Sequence, residues 1–221
     1  MGRRYPKFSS AYELSLGDLP LDGAGFVDWA AVFGRSGPLR VEIGVGNSRF
    51  LIEVALRSPD GNYLGFEHSR KRVLKFLKKV EKEGLANIRV LPVNALVVLD
   101  WAFRPESVDA FYIHHPDPWP KRRHAKKRLI RPEVAARLCA LLRPGGSVSL
   151  RTDDAAYARQ MLDVLDATEG LVSRSGRGRC AETPLDPFPT AYEERFLREG
   201  RRIYYLEYAR APLPEPAARS P

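Results

Sequence analysis

From residue 39 onward, short apolar segments alternate with segments that have the periodicity of helices. Apolar strands are predicted at 39–43, 63–66, 88–93, 108–113, 147–150, 170–173 and 202–208. Helices are predicted between them at 49–56, 70–83, 132–142 and 154–167. Strands that alternate with helices form a mostly parallel sheet with helices on both faces. The sequence therefore predicts a doubly wound α/β fold built on a mostly parallel seven-stranded sheet.

Glycine, carboxylate and amide side chains fall where the predicted strands end. In chain order they are Gly44 and Gly46, Glu67, Asn94, Asp117 and Asp153. In open α/β sheets, ligands bind outside the carboxyl ends of the strands, near the point where the strand order reverses. We therefore expect one binding site at this edge of the sheet.

The segment after the fourth predicted strand contains three prolines in alternate positions, in the sequence His114-His115-Pro116-Asp117-Pro118-Trp119-Pro120-Lys121. Each proline fixes its own φ at about −65° and moves the residue before it out of the helical region. We expect a stiff, extended loop that holds the Asp117 carboxylate and the Trp119 indole in place for a ligand. From composition alone, a rigid turn with a solvated aspartate is the alternative.

The loop Glu42-Ile43-Gly44-Val45-Gly46-Asn47-Ser48 is similar to nucleotide-binding loops but lacks the third glycine of the dinucleotide fingerprint. Gly44 and Gly46 allow a tight turn and close approach of a ligand to the backbone. Glu67, at the end of the second strand, is placed to accept hydrogen bonds from ribose hydroxyls. S-adenosylmethionine carries no pyrophosphate and is cationic, so this pattern favours it over NAD and disfavours a reductase.

Positive charge is concentrated beside the proline loop. The chain has a formal net charge of +9, and residues 121–131 contain seven Lys or Arg and no acid. Such a cluster binds phosphates and positions a nucleic acid without reading its sequence. We predict phosphate contacts from Arg122, Arg123, Lys126, Lys127 and Arg128, with arginines at 174–179 and 198–202 as an extension. The lysine-rich helix at 71–82 is interpreted as a solvent-exposed face.

Other classes of protein are disfavoured. The two cysteines, Cys139 and Cys180, do not have the spacing of metal ligands, and the adjacent His114 and His115 lack a third ligand. No metal is therefore predicted. The chain shows no signal-peptide pattern and no apolar stretch of membrane-spanning length. We expect a cytoplasmic protein without membrane contact, monomeric by default, with a homodimer as the alternative.

These motifs together resemble the bacterial tRNA (guanine-N7)-methyltransferases. The Pro116–Lys121 segment with its basic continuation is similar to the most specific motif of that family, and Glu42–Gly46 is similar to its cofactor loop. Thr190-x-Tyr192-Glu193-x-Arg195-Phe196 is similar to its C-terminal substrate motif. The matches follow the family order over about residues 38–208.

The resemblance implies a Rossmann-like, S-adenosylmethionine-dependent enzyme that methylates N7 of a guanosine in tRNA, at position 46 of the variable loop. It implies cofactor contacts at Glu42, Glu67, Asn94 and Asp117, with Asp117 also the catalytic residue. It implies guanosine or tRNA contacts at Lys121, Asp153, Thr190 and Glu193. Two features depart from the family pattern: Ser48 stands where glycine is common, and His114-His115 replaces an Asn-Phe or similar pair.

The domain organisation follows from these boundaries. We predict an N-terminal arm at 1–37, a methyltransferase domain at 38–209 and a disordered Pro/Ala-rich tail at 210–221. Two other functions remain open from the residues alone. One is methylation of another RNA, a small molecule or a protein, and the other is RNA binding without catalysis.

Overall fold

The computed structural model describes residues 11–212, apart from the side chain of Arg122. Its centre is a seven-stranded sheet with the order β3-β2-β1-β4-β5-β7-β6. The strands are β1 (Leu39–Ile43), β2 (Asn62–Phe66), β3 (Ile88–Leu91), β4 (Val108–His114), β5 (Leu142–Thr152), β6 (Leu171–Ser173) and β7 (Tyr204–Arg210). Strands β1 to β5 pair in parallel, and β7 runs antiparallel to both β5 and β6. The predicted mostly parallel, seven-stranded sheet is confirmed.

Helices cover both faces of the sheet. They are α1 (Trp29–Phe33), α2 (Phe50–Arg57), α3 (Arg70–Glu83), α4 (Pro132–Leu141), α5 (Ala155–Asp166) and α6 (Ala191–Arg198). Alternate residues of a strand point to opposite faces. Along β4, Ala110 and Tyr112 therefore pack with α2 and α3, whereas Phe111 and Ile113 pack with α1, α4 and α5. The sheet is thus buried on both sides.

Helix α3 illustrates how the sequence pattern produces a layer. Its apolar residues Val73, Phe76, Leu77 and Val80 recur at helical spacing and are all buried, while its basic residues face outward. Gly84 ends the helix with a φ of 64°, a conformation that glycine adopts without steric cost.

The strand order creates the crevice. After β1 the chain moves outward through β2 and β3, and it then returns to β4, which pairs with the other edge of β1. The loops after β1 and β4 therefore diverge in opposite directions at the carboxyl edge of the sheet. This is the switch point at which the sequence predicts a site.

The described part of the N-terminal arm, residues 11–37, packs on the domain. Val90 of β3 bonds with both Tyr12 and Leu14 through backbone atoms at 2.8 Å. Trp29 stacks on Phe103 at 5.2 Å, and its indole donates to the carbonyl of Ala102 at 3.0 Å. Residues 11–37 therefore contribute to the core, and residues 1–10 and 213–221 lie outside the described part.

Several predicted element boundaries differ from the structure. Strand β5 begins at Leu142, so residues 143–146, between the predicted helix at 132–142 and the predicted strand at 147–150, belong to the strand. The register with β4 shifts between Val108 and Ala110, and Gly145 has a φ of 77°, so the strand is irregular there. Strand β3 ends at Leu91 and β7 begins at Tyr204, each two residues inside its predicted limit.

Between residues 11 and 212, no helix is both long and apolar enough to cross a bilayer.

Candidate active site and nucleic-acid interface

A cleft of about 710 Å³ lies at the carboxyl edge of the sheet, between the loops that follow β1 and β4. It brings together most of the predicted site residues: Glu42, Gly44, Gly46, Glu67, Asn94, Asp117, Lys126, Lys127, Arg128, Asp153 and Thr190. Lys121, Arg123 and Glu193 are not among the residues that line it. The cleft wall also includes Arg72, His115, Tyr192, Arg195, Phe196 and Arg201.

Glu42 forms a buried acidic floor in this cleft. Its side chain is 1% exposed, and its Oε2 atom has no hydrogen-bond partner among the described residues. Burial raises the pKa of Glu42 to about 8, although the positive charge of Arg151 opposes the shift. A buried carboxyl group without a partner costs free energy unless a ligand supplies one.

The glycine loop after β1 is held in shape by Glu67. Gly44 and Gly46 have φ angles of 87° and 57°, which side chains with a Cβ rarely adopt. Glu67 accepts hydrogen bonds from the amide of Gly46 at 3.2 Å and from the amide of Ser69 at 2.7 Å. Glu67 therefore connects the loop after β1 to the start of α3, a role in addition to the predicted ligand contact.

Two polar side chains complete the loops on this side of the cleft. The hydroxyl of Ser48 accepts a hydrogen bond from the amide of Phe50 at 2.9 Å, so this departure from the family pattern supports the first turn of α2. Asn94 is exposed in the cleft, and its Oδ1 atom accepts from the amide of Leu96 at 3.1 Å. Asn94 thereby caps the short 3₁₀ helix Ala95–Val97.

The proline loop is bent rather than extended throughout. His115 and Trp119 have positive φ angles of 48° and 44°, in the left-handed region. The following prolines disfavour the right-handed helical region for both residues, but they leave the left-handed one as a strained option that costs about 1–3 kcal/mol. The amide of His115 donates to the carbonyl of Arg151 at 2.8 Å, which fixes the first bend. Asp117 is exposed between the two bends.

His114 and His115 pack among aromatic rings in the wall of the site. His114 is buried edge-on against Phe50 at 4.3 Å, and burial lowers its pKa well below the ordinary value. The His115 side chain is 5% exposed and packs against Tyr192 and Phe196, and burial lowers its pKa as well. Within residues 11–212, no three metal-ligating side chains converge.

Asp153 lies between two nitrogen-bearing side chains. Its Oδ1 atom is 3.6 Å from Nδ1 of His115, and its Oδ2 atom pairs with the guanidinium of Arg201. The same guanidinium lies 4.2 Å from the ring centroid of Phe196. The predicted substrate residue Asp153 therefore faces the cleft from within a charged and aromatic wall.

Thr190 and Glu193 form the N-terminal cap of α6. The Thr190 hydroxyl accepts from the amide of Glu193 at 3.1 Å, and the Glu193 carboxylate accepts from the amide of Thr190 at 3.4 Å. Glu193 also accepts from Arg151 and from the Tyr205 hydroxyl, each at 2.7 Å. Its side chain is buried and is not among the residues that line the cleft, and the direct contact of Glu193 with guanosine stays a prediction. Thr190 does line the cleft.

Arg151 is a residue of this site that the sequence analysis did not identify as functional. It is fully buried at the end of β5, a strand in the middle of the sheet. Its guanidinium donates to the Glu193 carboxylate and to the carbonyls of Phe188 and Asp186. The sequence did contain a signal for its role: Arg151 is a charged residue at the end of a strand that is buried on both faces.

The basic segment after the proline loop divides into exposed and buried parts. Residues Arg122–Lys127 form a 3₁₀ helix, on which Lys126 and Lys127 are exposed and line the cleft. Lys127 lies over the Trp119 ring at 4.8 Å. Arg128 is 9% exposed, donates to the carbonyl of Pro118 at 2.7 Å and covers the ring of Tyr157. Arg128 supports the loop through these contacts and also lines the cleft, and its contact with phosphate stays a prediction.

Comparison with known proteins identifies the family. Residues 36–206 match a family model described as "Putative methyltransferase". A tRNA (guanine-N(7)-)-methyltransferase of Methylococcus capsulatus is 38% identical over 191 residues, which cover 86% of this chain and 83% of the relative. The corresponding protein of Xanthomonas oryzae is 37% identical over 214 residues, with 95% and 85% covered.

Solved structures agree on the fold. The 16S rRNA methyltransferase KamB superposes with a TM-score of 0.58 at 14% identity, covering 87% of this chain and 95% of that one. An antibiotic-related methyltransferase superposes with a TM-score of 0.55 at 15% identity, with 82% and 92% covered. The switch-point cleft, the bent proline loop and the relatives in sequence therefore agree, and the chain belongs to the tRNA (guanine-N(7)-)-methyltransferase family.

Proposed function

We propose that this protein transfers the methyl group of S-adenosylmethionine to N7 of a guanosine in tRNA. The observation that carries the proposal is a single cleft whose one end is acidic and buried and whose other end is basic and exposed. Relatives named tRNA (guanine-N(7)-)-methyltransferase support the reaction. The resemblance extends it to guanosine 46 of the variable loop, and action on tRNA implies a cytoplasmic enzyme.

The residues around Glu42 fit S-adenosylmethionine. The cofactor is cationic, and the Glu42 carboxyl group is buried beside the cleft with one oxygen that lacks a partner among the described residues. A Cβ added at Gly44 would meet no atom within 4 Å, so the backbone there is open to close approach by a ligand. We propose cofactor contacts from Glu42, Gly44, Gly46, Glu67, Asn94 and Asp117. The bound cofactor supplies an electrophilic methyl group.

The basic end of the cleft suits tRNA. Lys126 and Lys127 present ammonium groups to the cleft, and the exposed Lys121 and Arg123 lie in the same segment. We propose that these residues hold phosphates, and that Thr190 and Asp153 contact the target guanosine. Trp119 lines the same cleft and offers a ring on which a base can stack, a contact worth about 1–3 kcal/mol.

Catalysis in this cleft is chiefly positioning. Guanine N7 has a free lone pair and no proton, so no residue has to act as a base, and the protein must align N7 for in-line attack. The purine becomes cationic as the bond forms, and we propose that the Asp117 carboxylate stabilises this charge. Asp153 is proposed to accept from the N1–H and N2–H₂ groups of guanine, which adenine lacks. One good bidentate contact favours the correct base by about 1–3 kcal/mol.

The test is incubation with radiolabelled S-adenosylmethionine and an unmodified tRNA transcript, followed by chemical cleavage at N7-methylguanosine. We expect label in the tRNA and one cleavage site. Label transfer without cleavage would assign methylation of another atom, and absence of label from tRNA despite cofactor binding would assign a different substrate or RNA binding alone. The monomeric state is proposed as well, and the sedimentation coefficient of the protein tests it.

A further inference from the structure

Arg151 connects the two ends of the cleft from below. It is one of the largest fully buried side chains in the described part of the chain. It belongs to the last but one residue of β5, at the carboxyl edge of the sheet. Its guanidinium carbon lies 5.0 Å from the ring centroid of Phe50 and 5.7 Å from that of Tyr205. Phe50 in turn contacts His114 on the cofactor side. A buried charge in this position must be compensated by nearby acceptors.

On the substrate side, the acceptors come from one chain segment. Nη1 donates to the Phe188 carbonyl and to the Glu193 carboxylate, each at 2.7 Å, and Nη2 donates to the Asp186 carbonyl. These contacts attach the segment before α6 and the first turn of α6 to β5. Thr190 lies between them and lines the cleft, so its position depends on this attachment.

On the cofactor side, the interaction is through charge rather than a hydrogen bond. The positive charge of Arg151 counteracts the effect of burial on the pKa of Glu42 and favours the ionised carboxylate. It also disfavours protonation of the buried His114. The same guanidinium therefore holds the substrate helix by its geometry and influences the acidic floor by its charge.

We propose that Arg151 is a positioning residue for the target guanosine, which acts by fixing the segment 186–193 and helix α6 against the cleft. This inference rests on the proposed tRNA methylation. Because the guanidinium offers both a positive charge and a fork of donors, substitutions can separate these two contributions to the positioning.

Arg151→Lys and Arg151→Met separate them. Lysine retains the charge but cannot donate to three acceptors with the planar fork of arginine. We expect R151K to raise the KM for tRNA about tenfold, the effect of losing about one charged hydrogen bond, and to leave kcat and the affinity for S-adenosylmethionine unchanged. R151M should raise the KM for tRNA at least as much, because it removes the charge as well as the donors.

Steady-state methylation of a tRNA transcript measures kcat and KM, and calorimetric titrations with S-adenosylmethionine measure the affinity for the cofactor. Arg210→Lys is the matched control, since Arg210 is a mostly buried arginine that bonds Leu142 away from the cleft.

A double variant tests the route through Glu193. If Arg151 acts through this carboxylate, the effects of R151K and Glu193→Gln on the KM for tRNA should be non-additive. A methylating wild-type protein whose R151K variant has an unchanged KM overturns the inference alone, as does a change in kcat that only follows the folded fraction. A wild-type protein that does not methylate tRNA overturns the proposed function and this inference with it.

Discussion

The two ends of the cleft differ in how their charges are hydrated. At the cofactor end, Glu42 and Glu67 are buried, and one Glu42 oxygen has no partner among the described residues. At the RNA end, Lys126 and Lys127 keep their ammonium groups in water. A buried carboxyl group gains most from a small cation that enters the cavity, whereas exposed cations gain by releasing counterions from a polyanion. The difference indicates two ligands of opposite charge in one cleft.

Asp117 is proposed to contact both the cofactor and the guanosine, and its substitution should have the largest effect. It is an exposed acid in the proline loop beside the basic segment, so it contributes little to folding. Asp117→Ala should lower kcat/KM for tRNA about 10²–10³-fold, the usual effect of removing one preorganised electrostatic group, with an unchanged melting temperature. Asp163→Ala, at an exposed position of α5, is the control. Near-normal turnover of Asp117→Ala would remove it from the catalytic role.

The second prediction tests whether Glu42 is a buried carboxyl group with a raised pKa. Its pKa of about 8 is raised above the ordinary value by burial, so the folded state binds the proton more tightly than the unfolded chain does. Glu42 therefore contributes stability at low pH that is lost as the pH rises from about 4.5 to about 8.

Glu42→Gln cannot titrate and should lack this loss. Relative to wild type, the variant should gain on the order of a few kcal/mol in free energy of unfolding between pH 5 and pH 9, measured by urea denaturation. It should also bind S-adenosylmethionine more weakly at pH 9. Glu53→Gln, a partly exposed carboxylate on α2, should behave as wild type. Parallel stability curves for wild type and Glu42→Gln would contradict the assignment.

The third prediction concerns the exposed end. The double variant Lys126→Ala/Lys127→Ala should weaken tRNA binding and reduce the dependence of log K on log salt by about 1.4 to 1.8, the contribution of two phosphate contacts. The affinity for S-adenosylmethionine should not change. Lys78→Ala/Lys82→Ala removes the same charge from the exposed face of α3 and should leave the salt slope unaltered. Equal salt slopes for the two double variants would indicate that a diffuse electrostatic field, rather than specific phosphate contacts, attracts the tRNA.

The smallest effect on RNA binding is expected at Arg128. Because its guanidinium is bonded to Pro118 and stacked on Tyr157, Arg128→Met should lower stability by about 1–3 kcal/mol without changing the salt slope. Thermal unfolding and filter binding at three salt concentrations measure both. A reduced salt slope would show that Arg128 contacts a phosphate of the tRNA.

Periodicity and strand ends were sufficient to predict the sheet and the edge that carries the site. The apolar runs of β1, β2, β4 and β5 are local patterns, and the positions of Glu67 and Asp153 at strand ends follow from them. The sequence does not separate Lys127 from Arg128, because a 3₁₀ helix places neighbouring residues on different sides and no local pattern reports burial. Their different roles depend on Tyr157, far along the chain.

The contacts of Arg151 and the bends of the proline loop could not be predicted either, because they too depend on residues far along the chain. The Nη atoms of Arg151 donate to residues 35 to 42 positions away, so its local sequence contains none of these acceptors. The prolines exclude one conformation for His115 and Trp119, but for His115 the selection of the left-handed one depends on a bond to Arg151 and on rings of α6. Side-chain roles that depend on such long-range packing are beyond pattern analysis.

The reversed strand β7 has a consequence for synthesis. β7 lies between β5 and β6, so β6 has no neighbour in the sheet until residues 204–210 have left the ribosome. Tyr205, which holds Glu193 in the cap of α6, arrives in the same segment. The nascent chain can therefore pair β1 to β5 early, but the wall that is proposed to receive guanosine is completed last. A chain interrupted before residue 204 would retain the acidic half of the cleft without a functional substrate half.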